Sequence, residues 1–214
     1  MTRPLVAVLD YGIGNMRSAQ KGLERAGADA RLTADAGLIR EAAGVVLPGV
    51  GHFRTCMARL REAGLDEAAL GAIDVGTPFL GICVGMQMLF ESSEEAPGVT
   101  GLGVLPGVIR KLAPGLPRPQ MQWNRLDIRT PDCALLAGLD DEVWMYFVHG
   151  YAAETEDEFV VATCDYGSDL TAMVQRGRMW ATQFHPEKSG DRGHHVSENF
   201  VAQLGGQAPA GGNK

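Results

Sequence analysis

The chain begins with a continuous apolar run, Leu5-Val6-Ala7-Val8-Leu9, the pattern of a parallel strand covered on both faces. Met16, Ala19, Leu23 and Ala26 then recur at helical spacing, which predicts a helix from near Asn15 that Gly27 terminates. The alternation repeats. Residues 30–33 read as a strand, 35–43 as a helix, and 44–47 as a strand that runs into Pro48-Gly49-Val50-Gly51. Helical spacing returns at Phe53, Met57 and Leu60, pauses at Gly64 and continues from Leu65 to Ile73. Pro78 opens the next strand, and residues 84–90 read as the helix after it. Strand alternating with helix predicts an α/β core with a mostly parallel sheet.

From Ser92 the pattern changes. Residues 92–98 form a polar loop, and 107–112, 122–129, 143–148, 159–164, 171–175 and 179–184 read as strands with few helical stretches between them. Such a succession predicts an antiparallel extension beside the parallel core. Pro114, Pro117 and Pro119 mark an extended connection, residues 131–139 a short helix with Pro131 in its first turn, and Val196, Phe200 and Leu204 a closing helix after Gly190. Residues 205–214, rich in Gly and Ala, read as a frayed tail, so one domain over residues 1–204 is expected.

The chemistry gathers around Pro78-Phe79-Leu80-Gly81-Ile82-Cys83-Val84-Gly85-Met86-Gln87, an apolar run ending on a cysteine between two glycines. Gly-x-Cys-x-Gly between a strand and a helix is the sulfur form of a nucleophile elbow, in which a tight turn pushes the side chain outward. The same cysteine is equally consistent with a small buried hydrophobe. A thiol nucleophile needs a base, and the base an orienting partner. His185-Pro186-Glu187 offers both: if the segment stays extended, side chains at i and i+2 share a face and Glu187 reaches one ring nitrogen of His185. A surface histidine beside a solvated glutamate remains open. Pro48-Gly49-Val50-Gly51 is either a plain turn or a source of backbone N–H groups for an oxyanion. Gly12-x-Gly14 has Arg17 at the third position of a dinucleotide fingerprint, which argues against that reading. His52 follows the Gly-rich turn, near the site but without an orienting carboxylate; His149 ends a strand, either at the edge where ligands gather or in a half-buried structural role; and the adjacent His194 and His195 have no metal-binding spacing.

Bulk properties narrow the field. A formal net charge of −7, with no basic run interleaved with aromatics, argues against a nucleic-acid partner. The four cysteines, at 56, 83, 133 and 164, form no Cys-x-x-Cys pair, so no disulfide framework, metal site or cofactor is expected, and a reducing cytoplasm fits. The N-terminal apolar run is too short for a signal segment, and no apolar run approaches membrane-spanning length.

Residues 78–90 together with His185-Pro186-Glu187 resemble the class I (triad) glutamine amidotransferases. Asp10–Asn15, Leu47–Phe53, Met121–Asn124, Tyr146–His149 and Gln183–Gly190 resemble, in order, the motifs of the branch that serves histidine biosynthesis. The resemblance spans residues 5 to about 204. It implies a three-layer α/β sandwich with a flavodoxin-like core and an antiparallel extension. It also implies glutamine hydrolysis by Cys83, His185 and Glu187, without cofactor or metal. Backbone N–H groups of Gly49, Val50, Gly51 and Val84 would meet the oxyanion, and Gln87 would help hold glutamine. A cyclase subunit, a (β/α)8 barrel, would receive the ammonia at a surface for which Asn15, Trp123 and Lys188 are candidates. Two positions depart from the family pattern: Gln120-Met121-Gln122 precedes Trp123-Asn124 where His-Met-Gly is usual, and Gly150 stands where serine is common. A cysteine peptidase or other acyl hydrolase, a silent binding subunit and the glutaminase of another pathway are the competing readings.

Overall fold

Leu5–Leu9 form β1, Met16–Arg25 α1, Asp29–Thr33 β2, Ala36–Glu41 α2, Gly44–Gly49 β3, Phe53–Glu62 α3, Leu65–Asp74 α4, Phe79–Cys83 β4 and Val84–Gln87 the single turn α5. The computed structural model describes residues 2–13, 16–139 and 142–205. The expected frayed tail therefore lies outside the described residues, apart from Gly205. Local signals place the helix ends. The Asp35 carboxylate caps α2 by accepting from the Leu38 N–H at 2.8 Å, and Gly27 turns the chain out of α1 at φ +100°.

The second half contributes β5 (Ser92–Ser93), β6 (Val108–Lys111), β7 (Gln120–Arg125), β8 (Asp127–Ile128), β9 (Trp144–His149), β10 (Tyr151–Glu154), β11 (Val160–Asp165), β12 (Asp169–Arg176), β13 (Met179–Thr182) and α6 (Gly190–Ala202). An eight-stranded sheet runs β2-β1-β3-β4-β13-β12-β11-β8. Its first five strands are parallel and the rest antiparallel, the mixed sheet that the change of pattern at Ser92 predicts. α1 packs with α6, and α2 and α3 each pack on α4, which with the central sheet gives a three-layer α/β sandwich. Val6, Val8, Val45, Val46, Leu47, Phe79 and Leu80 are buried, so the central strands carry apolar side chains on both faces.

Three sequence expectations are revised. The helix predicted over 84–90 stops at Gln87, because Leu89 and Phe90 bond back three residues and the 101–105 loop takes the carbonyls of Met88, Leu89 and Phe90. The strand predicted over 122–129 is two strands: β7 pairs with β9 in a separate ribbon, while β8 joins the main sheet beside β11. The buried Leu126 divides them and bonds to the Val143 carbonyl. The helix expected over 131–139 is a 3-10 turn at Ala134–Leu136.

Candidate active site

β3, β4 and β13 are neighbours in the sheet and parallel, so their C-terminal ends open at one place. Gly49 lies opposite Cys83 and Thr182 opposite Ile82. The chain leaving β13 through Gln183 and Phe184 thereby carries His185 past the cysteine. Ligands in open α/β sheets gather at this carboxyl edge.

Cys83 ends β4 at φ 55°, ψ −112°, and is the one non-glycine residue with positive φ among those described. A backbone held in so sparsely populated a region costs ~1–3 kcal/mol and persists only where its surroundings enforce it. The flanking glycines serve close packing rather than positive φ. A Cβ on Gly85 would stand 1.8 Å from the Leu47 carbonyl oxygen, and one on Gly81 would stand 3.1 Å from both Ala181 Cβ and Leu89 Cδ1. Gly49 is packed just as closely, its Cβ position 2.7 Å from the Gly85 nitrogen. The elbow is pressed onto the end of β3, where the Tyr11 hydroxyl donates to the Pro48 carbonyl.

His185 and Glu187 are both buried, with His185 Nδ1 2.8 Å from Glu187 Oε1. The extended segment expected from sequence is instead a 3-10 turn at Pro186–Lys188, and the two side chains still meet. Backbone bonds fix this turn. His185 N–H donates to the Tyr146 carbonyl at 3.1 Å, and the Ser189 hydroxyl donates to the His185 carbonyl while accepting from the Tyr146 N–H. Glu187 lies under α1, where Gly22 leaves the room: a Cβ there would sit 3.3 Å from Glu187 Cβ. The second ring nitrogen, Nε2, is buried without a hydrogen-bond partner. Burial favours the neutral ring, but the neighbouring Cys83 sulfur and the Glu187 carboxylate outweigh it and raise the His185 pKa above the ordinary imidazole value.

Cys83 and His185 line a cavity of about 390 Å³ shared with Val50, Gly51, Val84, Gln87, Glu95, Tyr151 and Lys188, a volume in the range of small-molecule sites. Gly49 lies in the strand behind this wall, and Trp123 stands outside it, 3.8 Å from the Cβ position of Gly190. Asn15 lies outside the described residues. Gln87 donates both amide hydrogens to protein, to Tyr151 O at 3.1 Å and to Gln183 Oε1 at 2.9 Å, and keeps its own oxygen for another donor. Gln183 Nε2 lies 3.6 Å from Cys83 Sγ.

Sequence reading singled out neither Glu95 nor Gln183. Glu95 sits in a loop that reads as plain solvent, yet its carboxylate faces the cavity and accepts from the Phe53 N–H at 2.7 Å. Gln183 belongs to the quoted run before His185, where only its neighbours attracted a role. His149 also lines the cavity. Its Nδ1 lies 2.8 Å from the Tyr151 carbonyl and must donate, so Nε2 is a free acceptor. Burial lowers the His149 pKa to about 4, and the ring is neutral at pH 7. His52 caps α3, and His194 and His195 both approach Glu198. No cluster of metal-ligating side chains occurs among the described residues. Gly150 leaves open space where a Cβ would point, so the departure from serine relieves no crowding.

A strained cysteine on a strand-to-helix turn and a buried His–Glu pair meet at one open cavity, an arrangement with the groups that thiol-dependent acyl transfer requires. The glutamine amidotransferase class-I family model matches residues 7–204, and the chain belongs to this family. Within it the chain is similar to imidazole glycerol phosphate synthase subunit HisH. It is 48% identical to that subunit from Methanothermobacter thermautotrophicus over 92% of this chain and 98% of the relative. With the Deinococcus radiodurans subunit it shares 47% identity over 97% of this chain and 96% of the relative. Solved structures share the fold at lower identity. A glutamine amidotransferase crystal structure superposes with TM-score 0.74 at 23% identity, covering 94% of this chain and 98% of that one. PurLQS from Thermotoga maritima gives 0.75 at 20%, covering 95% and 100%.

Proposed function

We propose that residues 1–204 act as one glutaminase domain that releases ammonia from glutamine for a cyclase partner in imidazole glycerol phosphate synthase. The observation that carries this reading is the cavity shared by the strained Cys83 and His185, with Glu187 on the Nδ1 side of the His185 ring. The Cys83 thiol passes its proton to His185 Nε2, and the thiolate attacks the side-chain amide carbon of glutamine. Glu187 holds the ring through Nδ1 and stabilises the imidazolium. His185 then protonates the departing nitrogen, ammonia leaves, and water hydrolyses the thioester to glutamate with the same base. Backbone N–H groups of Val84 and of the Gly49–Gly51 turn meet the oxyanion, each such donor being worth ~3 kcal/mol. The Glu95 carboxylate and the free Gln87 oxygen suit the substrate's α-ammonium group.

Ammonia freed into neutral water takes a proton and loses its nucleophilic lone pair. A partner seated over the cavity mouth avoids this loss. The outward face of the β7–β9 ribbon suits such a partner: Met121, Trp123 and Trp144 are 65%, 48% and 48% exposed, and Val148 of the same ribbon reaches the cavity. Large exposed apolar groups together mark an interaction surface. The partner in this reading is the (β/α)8-barrel cyclase subunit, which would use the ammonia to form imidazole glycerol phosphate and aminoimidazole carboxamide ribotide. Lys188, exposed at the cavity rim, belongs to the same proposed interface. Four free buried cysteines suit the reducing cytoplasm in which this pathway would run, and no described helix is long and apolar enough to cross a membrane.

Ammonia release is expected to be slow for the chain alone and to rise on addition of the cyclase subunit and its ribotide ligand. Trp123→Ala is expected to weaken association by about 2 kcal/mol, roughly 30-fold in Kd. Full turnover without the partner would overturn the delivery role.

A further inference from the structure

We propose that Gln183 is a hydrogen-bond donor to the Cys83 sulfur, locked in the donating orientation by a polar chain that starts at the Tyr151 carbonyl. The inference deepens the glutaminase reading and rests on it for its catalytic meaning.

The orientation follows from donor and acceptor counting. The Tyr151 carbonyl can only accept, and two groups converge on it: His149 Nδ1 at 2.8 Å and the Gln87 side-chain amide at 3.1 Å. Gln87 must therefore turn its nitrogen toward Tyr151, since the reverse setting would oppose two oxygens. The same nitrogen spends its second hydrogen on Gln183 at 2.9 Å, which obliges Gln183 to present its oxygen there. The Gln183 nitrogen is left facing Cys83 Sγ at 3.6 Å. Neither glutamine can flip without placing like against like in a buried setting, Gln183 being 0% and Gln87 3% exposed.

The donor has a specific opponent. The Cys83 sulfur also lies 4.0 Å from the Val148 carbonyl, which can accept from a thiol but repels a thiolate. Gln183 supplies the opposite preference: its N–H gains strength as negative charge develops on sulfur, and a neutral thiol uses it weakly. When the thiol proton moves to His185 Nε2, the Gln183 N–H remains on the sulfur and favours the thiolate. It also holds the sulfur at the end of β4 while His185 turns to protonate the leaving nitrogen. The feature is legible only in the fold, because Gln183 and Gln87 sit 96 residues apart.

The test is the pH profile of Cys83 alkylation by iodoacetamide, a neutral probe, in the full chain, with the modified residue identified by peptide mapping. Two variants separate donor from charge. Gln183→Met removes the donor without adding charge, and Gln183→Glu keeps the oxygen for Gln87 while replacing the N–H. The half-maximal pH is expected to rise by about one to two units in Gln183→Met and further in Gln183→Glu. The high-pH plateau rate should be no lower than wild type, because a thiolate released from the donor is more basic and at least as nucleophilic. A merely structural role would lower the plateau or the melting temperature and leave the midpoint in place. A Gln183→Met profile superposable on wild type overturns the proposal; if that variant does not fold, an unmoved midpoint in Gln183→Glu does so. The readout is independent of the glutaminase reading, which fails separately if Cys83→Ala still releases ammonia.

Discussion

Cys83→Ala is expected to reduce release of ammonia and glutamate from glutamine by about 10⁴-fold or more, since removing the nucleophile of a cooperating triad eliminates almost all its chemistry. The other parts of the site should survive. The His185–Glu187 contact is held by backbone bonds to Tyr146 and by Ser189, none of which involves the sulfur. Alanine at 83 faces the same backbone strain as cysteine and fills slightly less space, so the melting temperature should change little. Binding of the cyclase subunit should likewise persist, because Trp123, Met121 and Trp144 are exposed side chains of the β7–β9 ribbon, which meets the sulfur through the Val148 carbonyl at 4.0 Å. Parallel measurements of turnover, melting and association are the check. Retained turnover in a folded variant would sink the nucleophile assignment, and lost association would show that the outward face of the ribbon depends on the contact between the sulfur and Val148.

Gly85→Ala is expected to be the most damaging Gly→Ala change among the described residues. The added Cβ would lie 1.8 Å from the Leu47 oxygen, 2.8 Å from the Leu47 carbonyl carbon and 3.3 Å from the Pro48 carbonyl carbon. All three are backbone atoms of β3, a buried strand bonded on both sides, so no side chain can move aside. Relief requires the elbow to lift from the sheet, which moves Cys83 and the Val84 N–H together. Overpacking of this kind costs ~1–3 kcal/mol or more. A large fall in melting temperature or an insoluble product is expected, with glutaminase activity lost in any folded fraction. Gly150→Ala provides the contrast: its Cβ would meet nothing within 4 Å, and neutral behaviour is expected by thermal melting. Wild-type stability and turnover in Gly85→Ala would show that the elbow is not seated on β3.

Much of this arrangement was legible in the sequence, for a physical reason. Strands buried on both faces are uninterrupted apolar runs, so β1, β3 and β4 announce themselves, and a cysteine between glycines marks the turn that follows. The His185–Glu187 pairing was also legible, although the 3-10 turn that produces it was not: Pro186 is compatible with either backbone. The ribbon was harder. Gln120–Arg125 is polar, mostly exposed and paired only with β9, so neither alternation nor burial sets it apart from the adjoining β8. Glu95 and Gln183 were missed as site residues because their surroundings come from distant strands: Glu95 bonds to Phe53, and Gln183 to Gln87 and Cys83. A polar side chain acquires such meaning only after the sheet has ordered its strands.

The central claim is that Cys83 is the thiol presented to glutamine, and labelling with a glutamine analogue that carries an electrophilic chloroketone in place of the side-chain amide tests it most directly. All four cysteines are buried, and of them Cys83 alone lines the cavity with His185. Peptide mapping should find the adduct on Cys83 alone, with labelling slowed by excess glutamine. An adduct on another cysteine, or labelling of Cys83 indifferent to glutamine, would contradict the account.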